Sequence, residues 1–180
     1  GKAIRFEEAK TRPMGRGASG VRGITLAHEA DEVIGMIAVD DMESNILVVS
    51  ENGYGKRSSL EDYRITNRGG KGVKTISITD KTGNLVSIKN VTDEDDLMII
   101  NKSGVAIRLA VEDLRVMGRA TQGVRLINLK GNDSIAAVAK VMREDEEDIE
   151  AIEALSEDGV ENSTAPQPDA GTINDTQEEE

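Results

Sequence analysis

Four cations and three glycines stand within the eleven residues Arg64-Ile65-Thr66-Asn67-Arg68-Gly69-Gly70-Lys71-Gly72-Val73-Lys74. Glycines tolerate φ > 0 and let another backbone come close. A loop of this kind can aim successive amide N–H groups outward as a nest for an anion. Arg68 and Lys71 add formal charge beside those amides, so the chemistry within reach is the holding of a phosphate. Gly-rich turns also join strands with no ligand at all, and on this stretch alone a solvated turn explains the residues as well.

Recurrence separates the two explanations. Aligning Gly1, Gly53 and Gly104 brings Arg5, Arg57 and Arg108 into one column, Arg12, Arg64 and Arg115 into a second, and Arg16, Arg68 and Arg119 into a third. Gly20, Gly72 and Gly123 follow, then Val21, Val73 and Val124, then Arg22, Lys74 and Arg125. The apolar ladder continues through Ile24, Ile76 and Ile127 to Leu26, Ile78 and Leu129, without a gap, at spacings of 52 and 51 residues. Packing accounts for the Ile and Val columns. It does not account for four columns that hold Arg or Lys in every repeat.

Other chemistries lack their residues. Lys71 follows Gly70 as in a Walker A loop, but Gly72 stands where Ser or Thr is needed, and Gly55-Lys56-Arg57 fails likewise. His28 is the sole histidine and there is no cysteine, which leaves no zinc ligand set, no disulfide and no Ser-His-Asp site outside the turn His28-Glu29-Ala30-Asp31. The acidic links Asp40-Asp41-Met42-Glu43 and Thr92-Asp93-Glu94-Asp95 lack the Asp-x-Asp-x-Asp-Gly order of a calcium loop and read as solvated turns. Tyr54 and Tyr63 align with Lys2 and Val105 and with Thr11 and Leu114, so neither reads as a nucleophile. No catalytic residue and no metal site are expected in this chain.

The formal charge of −12 is unevenly spread. Residues 1–142 carry 21 Lys and Arg against 19 Asp and Glu, a net +2, and residues 143–180 carry 1 against 15, a net −14. A near-neutral body with cations in columns can bind an anion locally whatever the total. Phe6, Tyr54 and Tyr63 are the only aromatics, too few for the stacking platforms of single-strand or RNA binders. A duplex backbone asks only for cations and amides. No apolar run approaches the roughly 18 residues of a membrane span, no secretory leader opens the sequence, and the lack of cysteine fits a reducing cytoplasm.

These side chains need elements to hold them. A period near fifty with several short strands per unit marks a propeller-like array. In the middle unit the strands read as Ile46–Ser50, Gly55–Ser59, Val73–Thr79 and Leu85–Val91, and Val33–Val39 and Ile135–Val141 match the last of them. Units are expected over 1–42, 43–94 and 95–142, with no helix beyond two turns. The chain opens inside a repeat, as a piece of a longer array would. Residues 144–161 hold Ile149, Ile152 and Leu155 at short-helix spacing, and the acidic tail over 143–180 is expected to be disordered. The cations Lys56, Arg57, Arg64, Lys74, Arg16, Arg22, Arg119 and Arg125 are expected to share one outer edge with the Arg68–Lys71 loop. The Arg12, Arg64, Arg115 column, close to Glu8, Glu61, Asp62, Glu112 and Asp113, is expected to pair with acids.

The loop Asn67-Arg68-Gly69-Gly70-Lys71-Gly72 resembles the Q-R-R-G-G-K-G box of the DNA gyrase A subunit, with Thr66-Asn67 where that box has Gln-Arg. The stretches GKAIRFEEAKTRPMGRGASGVRGI, NGYGKRSSLEDYRITNRGGKGVKTI and GVAIRLAVEDLRVMGRATQGVRLI resemble repeats of that subunit's C-terminal domain, and the likeness covers roughly residues 1–142. The resemblance implies an all-β pinwheel of about three four-stranded blades whose blades exchange a strand. It implies sequence-independent binding and chiral wrapping of duplex DNA by residues 67–72 and the cation track. It further implies an ATP-dependent type IIA topoisomerase that introduces negative supercoils. The partners it implies are the gyrase B subunits plus a second copy of the A-type chain in an A2B2 heterotetramer. ATP and magnesium would be held elsewhere in that assembly, at a bacterial, nucleoid-associated location. The A-type subunit of topoisomerase IV, a decatenase with a related disc, usually lacks the intact box. A protein-interaction propeller would explain the period but not Gly69-Gly70-Lys71-Gly72.

Overall fold

The computed structural model describes residues 1–143. The expected disorder of the acidic tail and its short helix over 144–161 fall outside them. Strands β2 (Asn45–Ser50) and β3 (Tyr54–Ser59) form a hairpin around Glu51-Asn52-Gly53, with Val48 opposite Lys56. The other edge of β2 pairs with β5 (Leu85–Val91), the strand the sequence predicts there. In the third unit β6 (Asp95–Asn101) lies between β7 (Ala106–Ala110) and β9 (Ile135–Met142). In the first unit only β1 (Lys2–Ala3) is a strand. Helix is confined, among the described residues, to single 3-10 turns at Glu8–Lys10 and Leu60–Asp62.

The units are tied by exchanged strands. β4 (Val73–Lys74), from the second repeat, pairs with β1 of the first, and β8 (Val124–Arg125), from the third, completes the sheet β5-β2-β3-β8 of the second. Lys2 faces Lys74 as Tyr54 faces Arg125, and Ala3 faces Val73 as Gly55 faces Val124. The surrounding bonds are copied as well. The amide of Thr66 donates to the Arg5 carbonyl at 2.9 Å, and that of Met117 to Arg57 at 2.8 Å. Thr75 donates to Gly1 at 3.1 Å, and Leu126 to Gly53 at 2.8 Å. Thr25 donates to Gly70 at 2.9 Å, and Ser77 to Thr121 at 3.2 Å.

Two expected strands are shorter or missing for reasons of hydrogen bonding. The stretch read as Val73–Thr79 forms a ladder only at Val73–Lys74, because Thr75 bonds back to the preceding unit and Ser77 forward to the next unit's loop. Residues 33–39 form no strand. Their counterpart β5 takes its ladder from β2, and no ladder to residues 33–39 forms among the described residues. Ile37 and Val39 pack instead against the cluster that holds Ile46, Val48 and Leu60.

The alternation of side chains along a strand builds the core. Leu47 and Val49 of β2 point toward Val91, Leu97, Ile99, Val111 and Val138. Ile46 and Val48 point the other way, into a cluster with Leu60, Tyr63 and Ile76. Leu47, Val48 and Val49 are fully buried, which is why the run Ile46-Leu47-Val48-Val49 is apolar without interruption: both faces are covered.

Candidate nucleic-acid interface

The loop 67–72 is held from below. The Gly69 amide donates to the Gly23 carbonyl at 2.7 Å, and Thr25 bonds both the Gly70 carbonyl through its amide and the Gly69 carbonyl through its hydroxyl, at 2.6 Å. Gly69 and Gly72 take φ of 80° and 70°. A Cβ on Gly72 would sit 2.5 Å from the Ala3 carbonyl oxygen, and one on Gly123 equally close to that of Gly55. Glycine at 72 and 123 is therefore demanded by the exchanged strand. The nest expected of the loop loses the Gly69 amide to Gly23. The amides of Gly70, Lys71 and Gly72 donate to no acceptor among the described residues.

The cations of successive repeats meet at the seams. Arg68 Nη1 donates to the Arg22 carbonyl at 2.8 Å, and Arg119 Nη1 to the Lys74 carbonyl at 2.5 Å, the same contact one repeat on. Both arginines are half-buried, and Arg68 Nε is buried without a partner among the described residues. Arg16, Arg22, Arg64, Lys71, Lys74 and Arg125 are exposed and make no ion pair among the described residues. Asn67 is exposed, and its side-chain oxygen accepts from Lys10 Nζ at 3.1 Å.

Two track residues are placed otherwise than the sequence suggests. Lys56 is 1% exposed, and its ammonium is spent on the Gly118 carbonyl at 2.6 Å, on the Arg119 carbonyl, and on Ser58 Oγ at 3.1 Å. Desolvation lowers its pKa to about 8. Arg57 is 7% exposed and donates to the Leu114 carbonyl and to Asp93. Both therefore brace the second unit against the third and are closed to a phosphate. Acids also pair with a different column from the one expected. Arg57 meets Asp93 and Arg108 meets Asp96 at 2.7 Å, whereas Arg12, Arg64 and Arg115 form no ion pair among the described residues. Arg5 serves the same bracing role as Arg57, donating to the carbonyls of Leu60 and Tyr63.

Tyr54 is the residue sequence reasoning set aside. Its oxygen accepts from Arg125 Nη2 at 2.9 Å and Nε at 3.3 Å, and these bonds hold the phenol's pKa below its ordinary value. The only signal available was its column, where Lys2 is the first repeat's residue.

His28 stands in an exposed turn whose amide donates to Asp31. No group of three His, Cys, Asp or Glu able to hold a metal is found among the described residues. No helix among them is long and apolar enough to cross a membrane.

The family described as DNA gyrase C-terminal domain, beta-propeller, matches residues 1–40, 44–92 and 95–142. The A subunit of DNA gyrase from Staphylococcus aureus strain MRSA252 is 52% identical over 160 residues, covering 88% of this chain and 18% of that protein. Its counterpart from strain NCTC 8325 / PS 47 is 53% identical over 163 residues, with the same shares. The chain thus spans 18% of the length of these relatives. Among solved structures, a DNA gyrase A C-terminal domain superposes with a TM-score of 0.72 at 29% identity, over 79% of this chain and 48% of that one. The C-terminal domain of DNA topoisomerase IV superposes at 0.75 over 87% of this chain and 49% of that one. Its identity of 22% bears on the fold alone.

Proposed function

This chain belongs to the DNA gyrase C-terminal domain family, and from that membership we propose that it binds duplex DNA without reading its sequence and holds it on a curved, handed path. The observation that carries the reading is a set of cations in equivalent places of successive units, with Arg22, Lys74 and Arg125 exposed and Arg68 and Arg119 half-buried. Arg68 reaches the Arg22 carbonyl at one seam, and Arg119 the Lys74 carbonyl at the next, with no carboxylate paired to these four among the described residues. Phosphate contacts of this type fix position and carry no sequence information. Bending a 20–30 bp segment by 40–90° costs about 1–6 kcal/mol, which several seams acting together must offset. That is a physical reason for cations to repeat.

In this reading the chain acts within a type IIA topoisomerase built from two A and two B subunits, in the bacterial nucleoid. Wrapping one segment with a fixed hand presents it for passage through a cleaved second segment, and the outcome is negative supercoiling. In the same reading, ATP, magnesium and the cleaving residue belong to other parts of that assembly.

The test is duplex affinity of the 180-residue chain across a salt series of about 50 to 200 mM, where counterion release makes log affinity fall linearly with log salt. Lys71→Ala and Lys74→Ala each lower the slope by roughly 0.9 per lost phosphate contact, on unrelated duplex sequences alike. An unchanged slope in both variants overturns the reading.

A further inference from the structure

Where β3 and β8 begin, the seam between the second and third units opens into a cleft of about 590 Å³ lined by Asn52, Tyr54, Lys81, Arg125, Asn128 and Asp133. Tyr54 is 7% exposed and forms part of its wall. Arg125 is pinned from two sides: Nε and Nη2 donate to the phenol oxygen, and Nη1 donates to Asn128 Oδ1 at 3.3 Å. Lys81 Nζ stands 5.4 Å from the centre of the Tyr54 ring. Neither Lys81 nor Arg125 has an ion-pair partner among the described residues. The carboxylate of the cleft, Asp133, is taken up by the Ser103 hydroxyl at 2.7 Å and the Ser134 amide at 2.8 Å. With its oxygen already accepting two bonds from Arg125, Tyr54 has its own O–H proton left to give, and no acceptor for it is found among the described residues.

We infer that Tyr54, Arg125 and Lys81 form a phosphodiester-binding site at this seam. Arg125 and Lys81 supply the charge, and Tyr54 is the positioning residue that holds the guanidinium fork and offers its own hydroxyl proton. The inference rests on the duplex-binding reading and extends it to two residues outside the repeated cation columns.

The preceding seam gives an independent reason. There the same register sets Lys2 against Lys74, both exposed and neither in an ion pair among the described residues. Like charges directly across two strands destabilise the pair unless an anion lies between them. At the second seam Tyr54 replaces the lysine, and Lys81 restores the second cation from a turn where the first repeat carries Glu29. Each seam thus keeps two cations where the exchanged strand starts. A planar guanidinium held in one orientation suits two oxygens of a phosphate, which a mobile lysine does not match.

The experiment measures duplex affinity of the whole chain against salt for Lys81→Ala, Tyr54→Phe and Lys71→Ala, with the thermal midpoint of each confirming the fold. Lys81→Ala is expected to lower the salt slope by roughly 0.9. Tyr54→Phe, which keeps the ring and changes no charge, is expected to leave the slope alone and weaken affinity by roughly tenfold, the order for losing a hydrogen bond to a charged group. If Lys71→Ala lowers the slope and Lys81→Ala does not, the site is overturned while duplex binding stands. If neither lowers it, and Lys74→Ala leaves it unchanged as well, the duplex-binding reading itself falls. Unchanged affinity in Tyr54→Phe overturns the positioning role.

Discussion

Lys56 sits in a column that is isoleucine in the other repeats, Ile4 and Ile107. In the first repeat Ile4 lies against the loop, close to Gly70. Lys56 reaches the equivalent loop of the third repeat and replaces that apolar contact by bonds to the carbonyls of Gly118 and Arg119. A lone cation in an otherwise apolar column was the signal of its burial, and counting it with the adjacent arginine hid that signal. Its charge has a measurable cost. The folded-state pKa of about 8 lies below the ordinary 10.5, so folding disfavours the protonated form. That cost is complete below the folded value and fades as pH rises toward the unfolded one. Urea unfolding of the native chain and of Lys56→Met from pH 7 to 11 is therefore expected to show curves that run parallel below about pH 8. Above it the native chain gains stability relative to the variant. Parallel curves throughout would mean that the ammonium is solvated.

At the scale of elements, strand exchange is what the glycine column records. Gly20, Gly72 and Gly123 share positive φ, at 77°, 70° and 85°. They differ in what a side chain would meet: nothing within 4 Å at Gly20, and a backbone carbonyl oxygen at 2.5 Å at Gly72 and Gly123. Gly20→Ala is expected to cost about 1–2 kcal/mol from the left-handed backbone alone. Gly72→Ala and Gly123→Ala are expected to cost more, because β4 must part from β1, or β8 from β3, to admit the methyl group. Denaturant titration of the three variants ranks them, and equal losses would show that the strand contact contributes nothing. The repeat itself was legible because its columns hold register over three copies. The exchange of each third strand was legible only through the family resemblance, since spacing fixes that a strand exists and not which edge it joins. The fate of each cation was legible only where no carbonyl lay in reach. Arg57 and Arg125 look alike in a column alignment, yet the first is spent on Leu114 and Asp93 and the second faces a cleft.

At the scale of the whole molecule, charge is divided along the chain, net +2 over residues 1–142 and net −14 over 143–180. A flexible tether would hold those acids at an effective concentration that can reach the millimolar range. Competition with phosphate would then be screened over about 8 Å at physiological salt. A chain ending at Met142 is expected to bind duplex more tightly than the full chain at low salt, with the difference shrinking as salt rises. Equal affinities at low salt would assign the acidic segment to solubility. The seams carry a different kind of consequence, for ancestry. At both described seams the earlier repeat offers the same edge and the later one lends the same strand, in one register. A duplication of a single period of about fifty residues therefore inserts a unit whose two borders already match their new neighbours. The length of a cation track built this way can lengthen or shorten by recombination in whole steps, with no compensating mutation at any junction.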